Sequence, residues 1–376
     1  MTKAWWLTRC LMPLDRNNER KAELKLGIIG LGRVAWLLEE DPLRRKPATH
    51  WGAWQRAKDV RLTAVCDSDP QRLKVFQEMF PGVKGYLRYQ EMLAQERLDL
   101  LSIAAYADTR CEMVLAACKA GVRGIWCEKA MATTLQEAQR MERAVKRHGV
   151  YLAMSYPRRW NGCYQWVAQA LRSGELGRLE SINVQFPSNF IHTGTHAFDV
   201  LRMLGGEVHS VQGWLEAGSQ RIRDSGYQFE TRFDEAKPQN DLGGFGVLWF
   251  KSGARATLQA SRKNYFRFEF EVLTDRALVR IGNTQRALFE VGDSPNFAGF
   301  SELLSQPFPE VEEKNVFSAI AQNLVEAIQK GTPVACNATD GRKALEIGIA
   351  LHQSHAMSHE PVKISEVARG LKVQNR

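Results

Sequence analysis

Lys25-Leu26-Gly27-Ile28-Ile29-Gly30-Leu31-Gly32-Arg33-Val34-Ala35 is the stretch that decides the fold. Leu26, Ile28 and Ile29 form an apolar run of strand type. Gly30-Leu31-Gly32-Arg33-Val34-Ala35 then fits a dinucleotide-binding fingerprint with alanine in the third small position. Each residue type has a physical reason: Gly30 allows a tight turn, Gly32 lets the backbone approach a pyrophosphate, and Ala35 lets the following helix pack closely on the strand. That helix offers its free N–H groups and positive dipole end to the phosphates.

A second element supports a nucleotide. Val60-Arg61-Leu62-Thr63-Ala64-Val65-Cys66 alternates and is β-branched, so it reads as a strand, and it ends in Asp67. An acidic side chain there accepts hydrogen bonds from the adenosine ribose hydroxyls. Its charge repels a 2′-phosphate, so NAD(H) is favoured over NADP(H). Asp67-Ser68-Asp69-Pro70 equally suits a helix cap with proline at the first helical position, and Arg72 could neutralise a phosphate. The acidic residue usually follows the glycine turn by about 20 residues, whereas Ala35 and Asp67 are 32 apart. The extra material lies within 37–58 and is charged, proline-broken and aromatic. It reads as a solvated loop, or else as a lid or arm using Arg44, Lys46 or His50.

At 376 residues the chain is long enough for two domains with separate cores. Its formal charge is +9, but the basic residues are scattered and no basic run is interleaved with aromatics. No nucleic-acid partner is expected, and the surplus fits an anionic small ligand. The seven cysteines, Cys10, Cys66, Cys111, Cys118, Cys127, Cys163 and Cys336, contain no Cys-x-x-Cys pair. That favours reduced thiols acting as small hydrophobes and a cytoplasmic setting. The apolar stretch Ala4–Leu7 is too short for a signal peptide, and no run is long enough to span a membrane. Residues 1–24 are expected to form an extension outside the main fold.

Strand and helix patterns alternate over 25–149, with helices expected at 70–80, 89–96, 108–120 and 134–148. Strands are expected at 86–87, 98–104 and 124–127. This is an α/β Rossmann domain with a doubly wound parallel sheet. Residues 150–376 instead show a helix near 161–173, then strand-like runs at 179–186, 208–215, 226–234, 243–250, 254–261, 265–273 and 277–281. Helical patterns return at 315–330 and 340–358. The second half reads as an α+β domain for substrate binding and oligomerisation, with a large, mostly antiparallel open sheet.

Three further segments follow in order. Cys127-Glu128-Lys129 comes directly after a strand, Tyr156-Pro157-Arg158-Arg159-Trp160 opens the second domain, and Gly194-Thr195-His196-Ala197-Phe198-Asp199 precedes the helical run Val200–Gly206. With the fingerprint, they resemble the glucose–fructose oxidoreductase / inositol dehydrogenase / rhizopine-catabolism (Gfo/Idh/MocA) family, from about Lys25 to Val373. The resemblance implies hydride transfer between an NAD(P) nicotinamide and a hydroxyl or keto carbon of a sugar, cyclitol or nucleotide-sugar, by a homodimer or homotetramer. It implies that Lys129 polarises or protonates the substrate oxygen, with His196 as acid/base or orienting group and His192 beside them. Motif and resemblance together assign Gly30, Gly32, Arg33, Val34, Asp67, Ala104, Glu128 and Lys129 to the cofactor. Arg158, Arg159 and Arg110 are candidate contacts for an anionic substrate, with Tyr106 as a further substrate residue. A partly desolvated lysine beside a cationic nicotinamide has a lowered pKa, which makes proton transfer feasible near neutrality.

The chain departs from the family pattern at four points. Ala130 stands where proline commonly follows the Glu-Lys pair. Ala105-Tyr106 and Arg110 replace a typical Thr-Pro with a histidine a few residues on, and His192 replaces an aspartate commonly four residues before His196. These edits leave open a non-catalytic dinucleotide-binding regulatory protein, or a lyase or hydrolase that uses bound NAD transiently. No metal is expected: Gly194 reads as a helix breaker between His192 and His196 with Asp199 nearby, and His352, His355 and His359 lack a carboxylate partner.

Overall fold

The computed structural model describes residues 23–216, 239–261 and 265–374. β1 (Leu24–Ile29) lies between β2 (Val60–Cys66) and β4 (Leu100–Ile103), parallel to both, so it is covered on both faces and apolar throughout its inner end. With β3 (Lys84–Tyr86), β5 (Gly124–Cys127) and β6 (Tyr151–Met154) it forms a six-stranded parallel sheet in the order β3-β2-β1-β4-β5-β6. The strand order reverses between β1 and β4, the switch point where ligands bind in open α/β sheets. The sheet runs to Met154, past the boundary expected at 149/150.

The helix expected directly after the glycine turn is interrupted. Trp36 donates its N–H to Gly32 in a first turn, and a short 3-10 segment follows at Leu37–Glu40. The helical path resumes at α1 (His50–Trp54), where the His50 N–H reaches Val34 O at 3.1 Å and the Trp51 N–H reaches Ala35 O at 2.9 Å. In an unbroken helix those carbonyls would receive residues 38 and 39. Residues 38–49 are therefore looped out of the helix, and these twelve residues account for the surplus between Ala35 and Asp67. Residues 42–45 are exposed, but Pro47–His50 are buried, so the segment is not simply a solvated loop. Glu39 Oε2 accepts the Ala48 N–H and the Thr49 hydroxyl at 2.9 and 2.8 Å, and the Asn315 amide donates to Pro47 O at 2.9 Å.

The other connections match the expected patterns: α2 (Pro70–Met79), α3 (Tyr89–Gln95), α4 (Ala107–Lys119) and α5 (Leu135–His148). α5 starts at a capping box between Thr134 and Glu137 and stops at Gly149, whose φ of 64° suits glycine.

The second domain begins with α6 (Gly162–Ser173), β7 (Leu179–Pro187), α7 (Gly194–Gly205) and β8 (Val208–Leu215). Gly194 is the first residue of α7 and does not break it. After β9 (Gln239–Asn240) come β10 (Gly244–Phe250), β11 (Arg255–Ser261), β12 (Glu269–Thr274), β13 (Ala277–Gly282), β14 (Arg286–Asp293) and β15 (Ser301–Gln306). The chain then forms α8 (Val316–Lys330), α9 (Ala338–Ala356), β16 (Val362–Lys363) and β17 (Val373–Gln374). The large sheet has nine strands in the order β15-β14-β13-β12-β7-β11-β10-β8-β16, antiparallel except for the β7–β11 pair. The strand expected at 226–234 lies outside the described residues. β17 ties the two domains: Val373 pairs with Gln239, and its N–H bonds Thr133 O at 3.0 Å.

Candidate active site

The glycine turn sits at the end of β1. Gly30 has φ 87°, and a Cβ there would lie 2.9 Å from the backbone C and O of Ala104, so only glycine fits. Ala104 thus acts through its main chain. A Cβ at Gly32 would meet nothing within 4 Å. The N–H groups of Gly32, Arg33, Val34 and Ala35 donate to no acceptor among the described residues, so the interrupted helix keeps its row of unpaired donors. Arg33 is exposed and Val34 half-buried.

Asp67 Oδ2 accepts the Leu31 N–H at 2.7 Å, and Oδ1 accepts the Asp69 N–H at 2.9 Å. Asp67 therefore fastens the turn, while Asp69 caps α2 through the Gln71 N–H at 2.9 Å and pairs with Arg72 at 3.4 Å. Open space at Gly32, four free donors and an anion at the end of β2 fit the pyrophosphate and ribose of a dinucleotide.

Lys129 follows β5. Its amine donates to His192 O at 2.8 Å, and its N–H donates to Glu128 Oε2 at 3.2 Å. The Lys129–Ala130 peptide is cis, and the buried guanidinium of Arg110 donates to Ala130 O. Arg110 thus anchors the segment that carries Lys129 rather than meeting substrate. Burial pulls the Lys129 amine below its usual pKa; Glu128 and Asp241 oppose this, while Arg110 and Arg158 add to it. His196, on the first turn of α7, stands edge-on to Tyr156 with ring centroids 5.5 Å apart. Its Nδ1 is buried with no partner among the described residues. Burial, with Lys129, Arg158 and His192 nearby, drives its pKa well below 6.5, so the imidazole is neutral at physiological pH.

His192 shapes the site with its main chain. Its N–H donates to Asp241 Oδ2 at 2.7 Å, the Ile191 N–H donates to Oδ1 at 2.8 Å, and the residue itself is exposed. Asp241 lies just before β10, and burial raises its pKa to about 7 against those two hydrogen bonds. The second domain thus brings a carboxylate beside Lys129 even though His192 replaces the expected one. Sequence reasoning missed Asp241, because Asn240-Asp241-Leu242-Gly243-Gly244 reads as an ordinary turn.

Two expected ligand contacts are redirected. Arg159 turns inward and grips Asp199, with Nε–Oδ2 and Nη2–Oδ1 distances of 2.9 Å, and reaches Asp340 at 3.2 Å. Asp199 is fully buried, so its charge requires that partner. Glu128, expected at the cofactor, is 6% exposed and faces the protein: Oε1 lies 3.0 Å from His50 Nε2, and the Ser155 hydroxyl also bonds the carboxylate. His50 therefore reaches the site from the insertion, whereas Arg44 and Lys46 bond locally to Asp41. Arg158 stays available. Its guanidinium lies 3.5 Å from the Phe268 ring centre and donates to Asn283 Oδ1 at 3.0 Å. No carboxylate lies at ion-pair distance from it among the described residues. Tyr106 is 67% exposed ahead of α4.

The histidine sets are also placed differently. His352 does have a carboxylate neighbour, Asp241 at 3.7 Å, and His359 lies beyond the end of α9. Among the described residues no three His, Cys, Asp or Glu gather to hold a metal ion.

Residues 24–156 match the Gfo/Idh/MocA family model, described as an oxidoreductase family with an NAD-binding Rossmann fold. The myo-inositol 2-dehydrogenase of Thermotoga maritima is 22% identical over 361 residues, 92% of this chain and 99% of that one. The D-apiose dehydrogenase of Paraburkholderia graminis is 32% identical over 193 residues, 47% of this chain and 50% of that enzyme. A dehydrogenase of Bordetella pertussis, solved with NADH and UDP-GlcNAcA, has a TM-score of 0.71 at 20% identity, covering 91% of this chain and 98% of that one; this likeness is one of fold. Over residues 24–156 the chain thus matches the Gfo/Idh/MocA oxidoreductase family and its NAD-binding Rossmann fold.

Proposed function

We propose that this protein is an NAD(H)-preferring oxidoreductase acting on a hydroxyl or keto carbon of an anionic sugar, cyclitol or nucleotide-sugar. One observation carries the reading: the desolvated Lys129 amine, anchored on His192 O at 2.8 Å, sits among His196, Asp241 and Arg158. When bound, the nicotinamide accepts or gives the hydride. In the oxidising direction the neutral Lys129 amine takes the hydroxyl proton as the carbonyl forms; in the reducing direction the ammonium returns it. Neutral His196 carries one ring donor and one acceptor, which suits orienting the same oxygen.

Arg158 supports an anionic substituent, since it is a cation near Lys129 without a carboxylate of its own. Asp67 supports NAD(H), because a 2′-phosphate would meet its charge. The resemblance supports a homodimer or homotetramer. The six described cysteines are free and buried, which supports a cytoplasmic setting. Calorimetric titration with NADH, then turnover on a panel of sugar acids, cyclitols and nucleotide-sugars, tests the proposal. Lys129→Ala is expected to lower the rate by about 10²–10⁴ while leaving NADH binding intact. NADH binding without turnover on any panel member would favour the regulatory alternative.

A further inference from the structure

The interrupted helix raises a question that the cofactor does not answer: why it resumes with a wholly buried histidine. His50 is 0% exposed and stacks on Trp126, with centroids 3.9 Å apart and planes at 22°. Nε2 lies 3.0 Å from Glu128 Oε1 and Nδ1 lies 3.1 Å from Ser102 Oγ. Ser102 Oγ in turn accepts the Trp54 indole N–H at 2.8 Å. The hydrogen count settles the arrangement. Glu128 is held as an anion and only accepts, so Nε2 carries the proton. Ser102, having accepted from Trp54, gives its one hydroxyl hydrogen to Nδ1. In that arrangement every polar atom of this buried chain is satisfied. The other Glu128 oxygen accepts the Lys129 N–H at 3.2 Å.

We propose that His50 is a positioning residue for Lys129: it fixes the Glu128 carboxylate next to Lys129 and so keeps a negative charge beside the catalytic amine. The groups influencing that amine come from several elements: Glu128 ahead of it in the chain, Arg110 from α4, Arg158 before α6, and Asp241 before β10. His192 and His196 flank it at the start of α7. Of the two carboxylates, Asp241 is held by main-chain N–H groups, whereas Glu128 is held at Oε1 by His50, with the Ser155 hydroxyl as a further partner. Without that donor the Glu128 carboxylate is no longer fixed against Lys129, and the amine, with its neighbouring anion displaced, titrates at lower pH. The inference rests on the proposed role of Lys129 for its consequence, but its test does not need turnover.

The test is competitive labelling of the full chain with acetic anhydride across pH 6 to 11, with Lys129 acetylation read by peptide mass spectrometry. His50→Phe keeps an aromatic ring for Trp126 and removes both polar contacts; its Lys129 midpoint is expected to fall by about one pH unit. His50→Gln, which retains an amide donor for Glu128, is expected to keep the wild-type midpoint. Glu128→Gln should match His50→Phe, and the double variant should shift no further. Should the phenylalanine variant fail to fold, His50→Met, also without a donor, gives the same reading. A wild-type midpoint in His50→Phe or His50→Met, or an additive shift in the double variant, would overturn the proposal and leave His50 a packing residue. Absence of turnover on the substrate panel bears on the proposed activity alone.

Discussion

Gly32→Ala separates folding from cofactor binding more cleanly than any other single substitution in the turn. A Cβ at Gly32 meets nothing within 4 Å, and its φ is not in the left-handed range, so the free protein should change by no more than about 0.5 kcal/mol. The same methyl enters the space where the backbone must approach the pyrophosphate. A hundredfold loss of NADH affinity is the expected scale, equivalent to about 2.7 kcal/mol. At NADH one hundred times the wild-type Kd, ligand linkage stabilises the wild type by about 2.7 kcal/mol and the variant by only about 0.4 kcal/mol. Thermal melts should therefore give a rise of about 5 °C for the wild type and under about 1 °C for Gly32→Ala. Gly30→Ala should behave oppositely. With φ 87° and a Cβ 2.9 Å from the Ala104 backbone, it should destabilise the free protein by about 1–2 kcal/mol or more. A Gly32→Ala protein that keeps the full NADH-induced rise would refute the placement of the pyrophosphate. One that melts early without NADH would refute the account of the turn.

Asp67→Ala should narrow the difference between NADH and NADPH affinity in calorimetric titrations, by removing the charge that opposes a 2′-phosphate. An unchanged ratio would assign Asp67 only to the Leu31 N–H. Arg159→Met should cost about 3–5 kcal/mol in urea unfolding, because it strands the fully buried Asp199; a changed KM with unchanged stability would instead make Arg159 a substrate contact. The Glu128 carboxyl is held at about 2, below its usual 4.5, so its stabilisation is complete above pH 4.5 and lost as pH falls towards 2. The stability gap between wild type and Glu128→Gln should accordingly close over that range, and a constant gap from pH 7 to 3 would contradict the assignment.

What the sequence revealed followed how local the cause was. β1, the glycine turn and the strand ending at Asp67 rest on neighbouring residues, and the structure has them within a residue or two. β14 and β15 escaped because their burial alternates weakly and both are largely exposed, leaving no apolar face to read. Arg159, Arg110 and Glu128 were legible as residues of the site but not in their direction. Each points where a partner distant in sequence waits: Asp199 and Asp340, Ala130 O, and His50. Asp241 was invisible for the same reason, since its place beneath Ile191 and His192 depends on the segment before β10 packing against the segment before α7.

The interruption of the first helix shows how an insertion can leave a binding site standing. Four N–H groups at the start of a helix serve a phosphate, and they need only the first turn to be aligned. The chain leaves the helix after that turn, and His50 and Trp51 return to Val34 O and Ala35 O, the carbonyls that residues 38 and 39 would have used. Backbone satisfaction at the join is preserved, so the cost of the insertion falls mainly on residues 38–49 themselves. Glu39 and Asn315 offset part of it by holding Ala48, Thr49 and Pro47. The geometry that repairs the helix also fixes where its first returning side chain points. An insertion one residue longer or shorter would turn position 50 by about 100° around the helix axis. His50 would then miss both Ser102 and Glu128. Deleting one residue from the exposed stretch 42–45 should be tolerated if the loop absorbs it, with NADH binding and the Lys129 titration unchanged. If the helix absorbs it instead, the Lys129 midpoint should fall as in His50→Phe, and the labelling experiment distinguishes the two.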